Sequence, residues 1–165
     1  MTEKDSNQGH RRFLKGSSVE PYRVGGKFPS TLEPGYGQGT VDFGWLSRVE
    51  AGSLVFVMSP SCESCSFDPI RDFSLDFPAF QYAMLIDSGE QAFMELREEH
   101  ELSFPLIRFD TSKYLLQLGV DQIPWVFVLN RIGQVVGAGV FNHTQHLLHI
   151  ARPLLDVYYP DNEII

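Results

Sequence analysis

The sequence predicts a three-layer α/β domain with a mixed central sheet and helices on both faces. Three observations predict it. The compact apolar segments Leu54 to Met58 and Gln81 to Asp87 read as buried strands. Helix-length stretches separate successive strand candidates, as parallel strands joined by crossovers require. Near the C-terminal end, Trp125 to Leu129 and Gln134 to Phe141 flank the turn Asn130 to Gly133 and read as an antiparallel pair. With 165 residues, 43% of them hydrophobic, the chain has the length of one domain and can bury a core without covalent cross-links.

Val24 to Thr40 is crowded with Gly and Pro, which predicts a small β-hairpin or an irregular loop. Val41 to Val49 is read as a short helical or turn element, and Gly52 punctuates it before the first buried strand. Ser59 and Pro60 stop that strand. Ser59 or Ser61 then offers a cap for a helix running to about Phe77, whose first turn would carry both cysteines. The strand Gln81 to Asp87 is followed by a helix from Glu90 to Leu102, a third β segment at Leu106 to Phe109 and a short helix from Ser112 to Leu118, closed by Gly119. After the antiparallel pair, an apolar-striped helix from about Thr144 to Tyr158 should bend or break at Pro153.

Residues 1–27 hold six of the 13 Lys and Arg but only three of the 21 Asp and Glu, so the rest of the chain carries seven basic against 18 acidic residues. Residues 1–23 are read as a basic, disordered leader, and residues 24–160 as the domain. An acidic domain repels phosphate backbones and anionic lipid heads, which argues against nucleic acid or a membrane surface as partner. No apolar run approaches the roughly 20 residues of a spanning helix, so membrane insertion by this chain is not expected. Arg11-Arg12-Phe13-Leu14-Lys15 faintly resembles a twin-arginine export signal, but no apolar stretch follows it. As written, the chain is expected in the cytoplasm, or in the periplasm if an anchor or signal has been removed.

The chemistry centres on Cys62-Glu63-Ser64-Cys65, the chain's two cysteines. A thiol at a helix N-terminus meets unpaired N–H groups and the positive end of the helix dipole, which favour thiolate. Cys62 is expected to attack, and Cys65, three residues on, to resolve the mixed disulfide. Glu63 should partly oppose the dipole, leaving a reduction potential nearer that of thioredoxin than that of the strong oxidant DsbA. A zinc site would need His143, His146 or His149 to complete its ligands; these read as partly exposed helix residues instead. A structural disulfide across so short a loop would add little stability, and two inert buried thiols form a third possibility. Trp45 and Trp125 read as core residues.

From about Val24 to Tyr158 the chain resembles the thioredoxin superfamily, more narrowly the TlpA-like branch of bacterial thiol:disulfide oxidoreductases. The resemblance is carried by Phe28-Pro29, by the apolar strand leading into C-x-x-C, and by Val120 to Val128 (V-D-Q-I-P-W-V-F-V). It implies that Pro124 is cis beside the redox pair and that the Ile123 backbone pairs with bound substrate; the alternative is an ordinary trans proline opening a strand. Met58-Ser59-Pro60-Ser61-Cys62 is also similar to the accessory thioredoxin-like proteins of methylamine dehydrogenase maturation. Glu63-Ser64 is close to the Glu-Pro of some cytochrome c maturation reductases; by that likeness Asp68 would tune the thiols, its plainer reading being a solvated helix residue. The family's Trp before the first cysteine is absent, Trp125 follows Pro124 where Thr is common, and Phe56 occupies a strand position that often bears a carboxylate. These departures imply a dedicated client over broad reductase activity.

The implied partners are a client protein disulfide or dithiol and a thiol electron donor, with no organic cofactor and no metal. Two other functions fit parts of the sequence. A non-catalytic thioredoxin-like adaptor or maturation chaperone would bind one client without turnover. A peroxiredoxin-like peroxidase would use Ser59 as the activating hydroxyl, but Val55 stands where that family has a proline.

Overall fold

The computed structural model describes residues 24–62, 65–100 and 102–162. The expectations for the leader 1–23 and for Glu63 lie outside the described residues. A two-stranded antiparallel ribbon opens the fold, pairing β1 (Thr31–Leu32) with β2 (Val41–Asp42). A 3₁₀ turn follows at Gly44–Ser47. Then come β3 (Gly52–Met58), helix α1 (Asp68–Asp76), β4 (Gln81–Ile86), helix α2 (Glu90–His100) and β5 (Leu106–Arg108). A second 3₁₀ turn (Thr111–Lys113) runs into α3 (Tyr114–Leu118), followed by the hairpin β6 (Trp125–Asn130) and β7 (Val135–Val140). The C-terminal segment is broken into α4 (Thr144–Ile150) and α5 (Arg152–Tyr158), because Pro153 cannot supply the N–H that a continuous helix needs.

The main sheet has the order β5-β4-β3-β6-β7. β3 pairs parallel with β4 and antiparallel with β6, so antiparallel pairing reaches the central strand and is not confined to the edge. Every residue of β3 is buried, which is why its sequence runs apolar without alternation. Leu54, Phe56 and Met58 face α1, α4 and α5 through Ile70, Phe73, Leu147 and Leu155. Val55 and Val57 face the other layer, built from α3, the 3₁₀ turn and the ribbon through Tyr114, Leu118, Leu46 and Leu32, with Phe28 just ahead of the ribbon. Period-two side chains on one central strand therefore feed both cores.

Close approach explains two glycines. A Cβ on Gly137 would lie 2.5 Å from the Ile150 carbonyl oxygen, and one on Gly52 would lie 2.7 Å from that of Leu129. Only glycine lets α4 seat on β7 and lets β3 pass β6 at these separations.

One expected boundary is corrected. The helix after β3 starts at Asp68, not at Ser59 or Ser61, so neither cysteine occupies its first turn. Pro69 is the physical reason: it sits in the first turn of α1, where its missing N–H costs nothing. In a helix begun near Ser61 it would be interior, with its ring against the carbonyl of residue 65.

Candidate functional site

β3 ends at Met58, and the chain turns at once. Cys62 N–H donates to the Ser59 carbonyl (3.2 Å) and Cys65 N–H to the Cys62 carbonyl (3.1 Å). These two turns bring the cysteines together ahead of the helix. Both are free thiols, and both are partly buried. The Cys62 Sγ lies 3.9 Å from the Ile123 carbonyl oxygen, and the neighbouring Cys62 side chain helps to raise the Cys65 thiol. The Ile123–Pro124 peptide is cis. Four of the residues singled out from sequence, Cys62, Cys65, Ile123 and Pro124, thus meet at the C-terminal end of β3 and the start of β6. Asp68 does not join them: its carboxylate is 69% exposed and pairs with Arg71 at 3.3 Å.

The two sulfurs differ in surroundings. Burial and the hydrogen bond to Cys62 push the Cys65 thiol up from an ordinary 9.0 to about 12, with the Ser59 backbone pulling weakly the other way. Cys65 is therefore held as the protonated partner. Because its folded value lies above the unfolded one, its contribution to the stability of the reduced protein is complete below about pH 9 and is lost as pH rises toward 12. Alkylation with a small reagent, read by peptide mass spectrometry, should find Cys65 at pH 8 slower than a free cysteine by about tenfold or more. Its rate should climb steeply above pH 9. Equal rates at pH 8 would show that the buried environment does not hold the proton.

Ser59 is buried at the bend and ties it to β4. Its hydroxyl donates to the Asp87 carbonyl (3.2 Å) and bonds to Ser61 Oγ (2.8 Å), while Ser61 N–H donates back to Ser59 Oγ (3.3 Å). Those partners, not the Cys62 sulfur, occupy the hydroxyl that a peroxidatic site would use.

Sequence reasoning missed a group next to this bend. Tyr36, at φ 56° between Gly35 and Gly37, donates its hydroxyl to Asp87 Oδ1 and stacks under Arg108, whose guanidinium carbon is 4.0 Å from the ring centroid. That hydrogen bond, with burial, pushes the Tyr36 hydroxyl up to about 12, so it remains a donor. Loop 33–40 is strapped across β5 by Gln38 Nε2 donating to the Arg108 carbonyl (2.7 Å) and by Asp110 N–H donating to that of Pro34 (2.8 Å). The available signal was an aromatic residue between two glycines inside a turn-rich stretch.

The remaining candidates lie elsewhere. His143, His146 and His149 are exposed on α4 and its N-terminal flank, with the first two rings 3.8 Å apart. No group of three or more His, Cys, Asp or Glu able to hold a metal occurs among the described residues. Trp125 and Trp45 are partly buried against the core layer that contains Phe28 and Phe127. Among the described residues no helix is long and apolar enough to cross a membrane.

The sequence matches no protein-family model and no curated protein. The structure is similar to several solved ones. A thiol:disulfide interchange protein from Bacteroides sp. superposes with a TM-score of 0.63 at 11% identity, over 86% of this chain and 95% of that one. A thiol:disulfide interchange protein of the thioredoxin family from Chlorobium tepidum gives 0.60 at 14% identity, over 81% and 98%. The thioredoxin domain of a thiol-disulfide oxidoreductase from Bacteroides vulgatus gives 0.59 at 12% identity, over 78% and 98%. The chain has the thioredoxin fold, as its resemblance to that superfamily implied.

Proposed function

We propose that the chain is a thiol:disulfide oxidoreductase, acting as a reductase toward a dedicated client protein through the Cys62-Glu63-Ser64-Cys65 couple. The observation that carries this reading is the two free thiols Cys62 and Cys65 at one bend, with the Cys62 sulfur 3.9 Å from the Ile123 carbonyl beside Pro124. A strand of client laid against the Ile123 backbone would bring its disulfide to Cys62.

The cycle balances on these groups. The Cys62 thiolate attacks one client sulfur, forming the Cys62–client mixed disulfide and releasing the other client sulfur as thiolate, which takes a proton. Cys65 then gives up its proton and attacks Cys62 Sγ, forming the Cys62–Cys65 disulfide and releasing the second client thiol. Two electrons pass from the dithiol to the client, and an external thiol donor returns them. Burial first, and the contact with Cys62 second, hold the proton on Cys65 in the reduced protein, which leaves the first attack to Cys62. Glu63 would tune the pair through its charge beside Cys62, and Asp68 by the likeness to maturation reductases; the exposure and Arg71 pairing of Asp68 favour a small effect from Asp68→Asn.

The test is an insulin-reduction assay with a dithiol donor, paired with equilibration in glutathione buffers. Catalysed reduction and a two-electron couple nearer thioredoxin's roughly −270 mV than DsbA's roughly −120 mV are expected. Client binding without any turnover would instead identify a non-catalytic adaptor, and a strongly oxidising potential would reverse the proposed direction of electron flow.

A further inference from the structure

Beside the dithiol bend lies a cleft of about 460 Å³ whose walls include Ser59, Pro60 and Ser61, the three residues leading into Cys62. It is separate from the smaller groove of about 350 Å³ that Ile123 lines with Val120 and Tyr114. Its other walls are Tyr36 and Arg108, the end of β4 at Asp87, and Ser88 with the start of α2.

The hydrogen-bond inventory of these walls is lopsided. The Asp87 carboxylate already accepts at both oxygens, from the Tyr36 hydroxyl and from Thr111 N–H (3.2 Å). The hydroxyls of Ser59 and Ser61 satisfy each other and the Asp87 carbonyl. What is left uncommitted is donors. Arg108 spends only Nε, on the Ser88 carbonyl at 2.8 Å, and its terminal nitrogens have no acceptor among the described residues. Ser88 Oγ is buried and has no partner among them either.

This arginine differs from the two that form ion pairs on their own helices. Arg71 and Arg152 pair with carboxylates on their own helices, at 3.3 and 3.7 Å. In a chain with so many acids, Arg108 is instead anchored by a carbonyl and an aromatic face, which orient the guanidinium without neutralising it. A planar guanidinium with free terminal N–H groups matches the two oxygens of a carboxylate. Asp87, and Glu90 at the start of α2, keep negative charge nearby, which weighs against a phosphate dianion and favours a singly charged acceptor held by geometry.

We infer that this cleft, through Arg108 and Ser88, recognises a carboxylate on the partner that exchanges disulfides with Cys62. The inference rests on the oxidoreductase reading and specifies the substrate class. The carboxylate could be an Asp or Glu near the client's cysteine, or the carboxylates of a small peptide thiol. Arg108 is thereby a specificity-determining residue, and the loop carrying Tyr36 is the wall that orients it.

The test compares reduction of three small disulfides by the reduced protein: oxidised glutathione, which bears carboxylates; bis(2-hydroxyethyl) disulfide, which is neutral; and cystamine, which is cationic. Two peptide disulfides differing only by Glu or Gln beside the cysteine distinguish a client side chain from the small-thiol source. The wild type is expected to favour the carboxylate member of at least one pair by about tenfold in kcat/KM, and Arg108→Gln to lose that ratio. Arg108→Lys should retain part of it, and circular dichroism confirms that each variant is folded. Preference in the glutathione arm alone identifies the small thiol; preference in the peptide arm identifies the client. Turnover of every disulfide with ratios unchanged by Arg108→Gln overturns the inference and leaves the oxidoreductase reading standing. Failure to reduce any disulfide overturns both.

Discussion

Replacing Cys62 with serine is expected to bring client-disulfide reduction down to the uncatalysed rate, a loss of about a thousandfold or more. A serine hydroxyl ionises far above any working pH and cannot hold the mixed disulfide through which exchange proceeds. Cys65→Ser should behave differently. Cys62 keeps its place near the Ile123 carbonyl, so the first attack still occurs, but no neighbouring sulfur resolves the adduct. The variant should therefore accumulate a covalent complex, visible on a non-reducing gel and released by dithiothreitol, and mass spectrometry of that complex would name the client. Retained turnover by Cys62→Ser would remove this sulfur from the chemistry. If the wild type turns over while Cys65→Ser traps nothing and remains fully active, resolution comes from elsewhere.

The second large effect is on stability. Phe56 is fully buried at the middle of β3, its ring stacked 6.4 Å from Tyr82 and set edge-on to Phe141 at 5.6 Å. Strands on both sides and helices above leave the site little room to collapse. Phe56→Ala should destabilise the domain by about 3–5 kcal/mol, and Phe56→Leu, which keeps most of the volume, by about 1 kcal/mol. Urea denaturation followed by far-UV circular dichroism measures both. If the alanine variant does not fold, the leucine variant still decides the matter. A neutral effect from each would mean that the ring does not support the β3 core. The contribution of Phe56 is to packing.

The layered architecture was legible because strand burial writes itself directly into composition. Leu54 to Met58 is apolar without alternation since both of its faces are covered, and the final hairpin is announced by its turn. The pair Cys62 and Cys65 was legible for the same local reason: three residues of separation bring two sulfurs together across a turn. Proximity of Ile123 and Pro124 to that pair came from resemblance, since sixty residues of sequence separation carry no geometric information.

Two features had no local signature strong enough to read. The helix expected to start at the cysteines begins at Asp68, because the capping preferences of Ser59 and Ser61 were outweighed by Pro69. Those serines were drawn instead into bonds with each other and with Asp87, the residue just past the end of the neighbouring strand. The cluster of Tyr36, Asp87 and Arg108 joins a loop and two strand ends that are far apart in the chain, and only the parallel pairing of β3, β4 and β5 brings them to one edge. Sequence by itself determined which segments must be buried and where two thiols stand side by side. Tertiary structure alone decided what faces those thiols, because hydrogen bonds and ring contacts between distant segments form only after apolar burial has set the strand order.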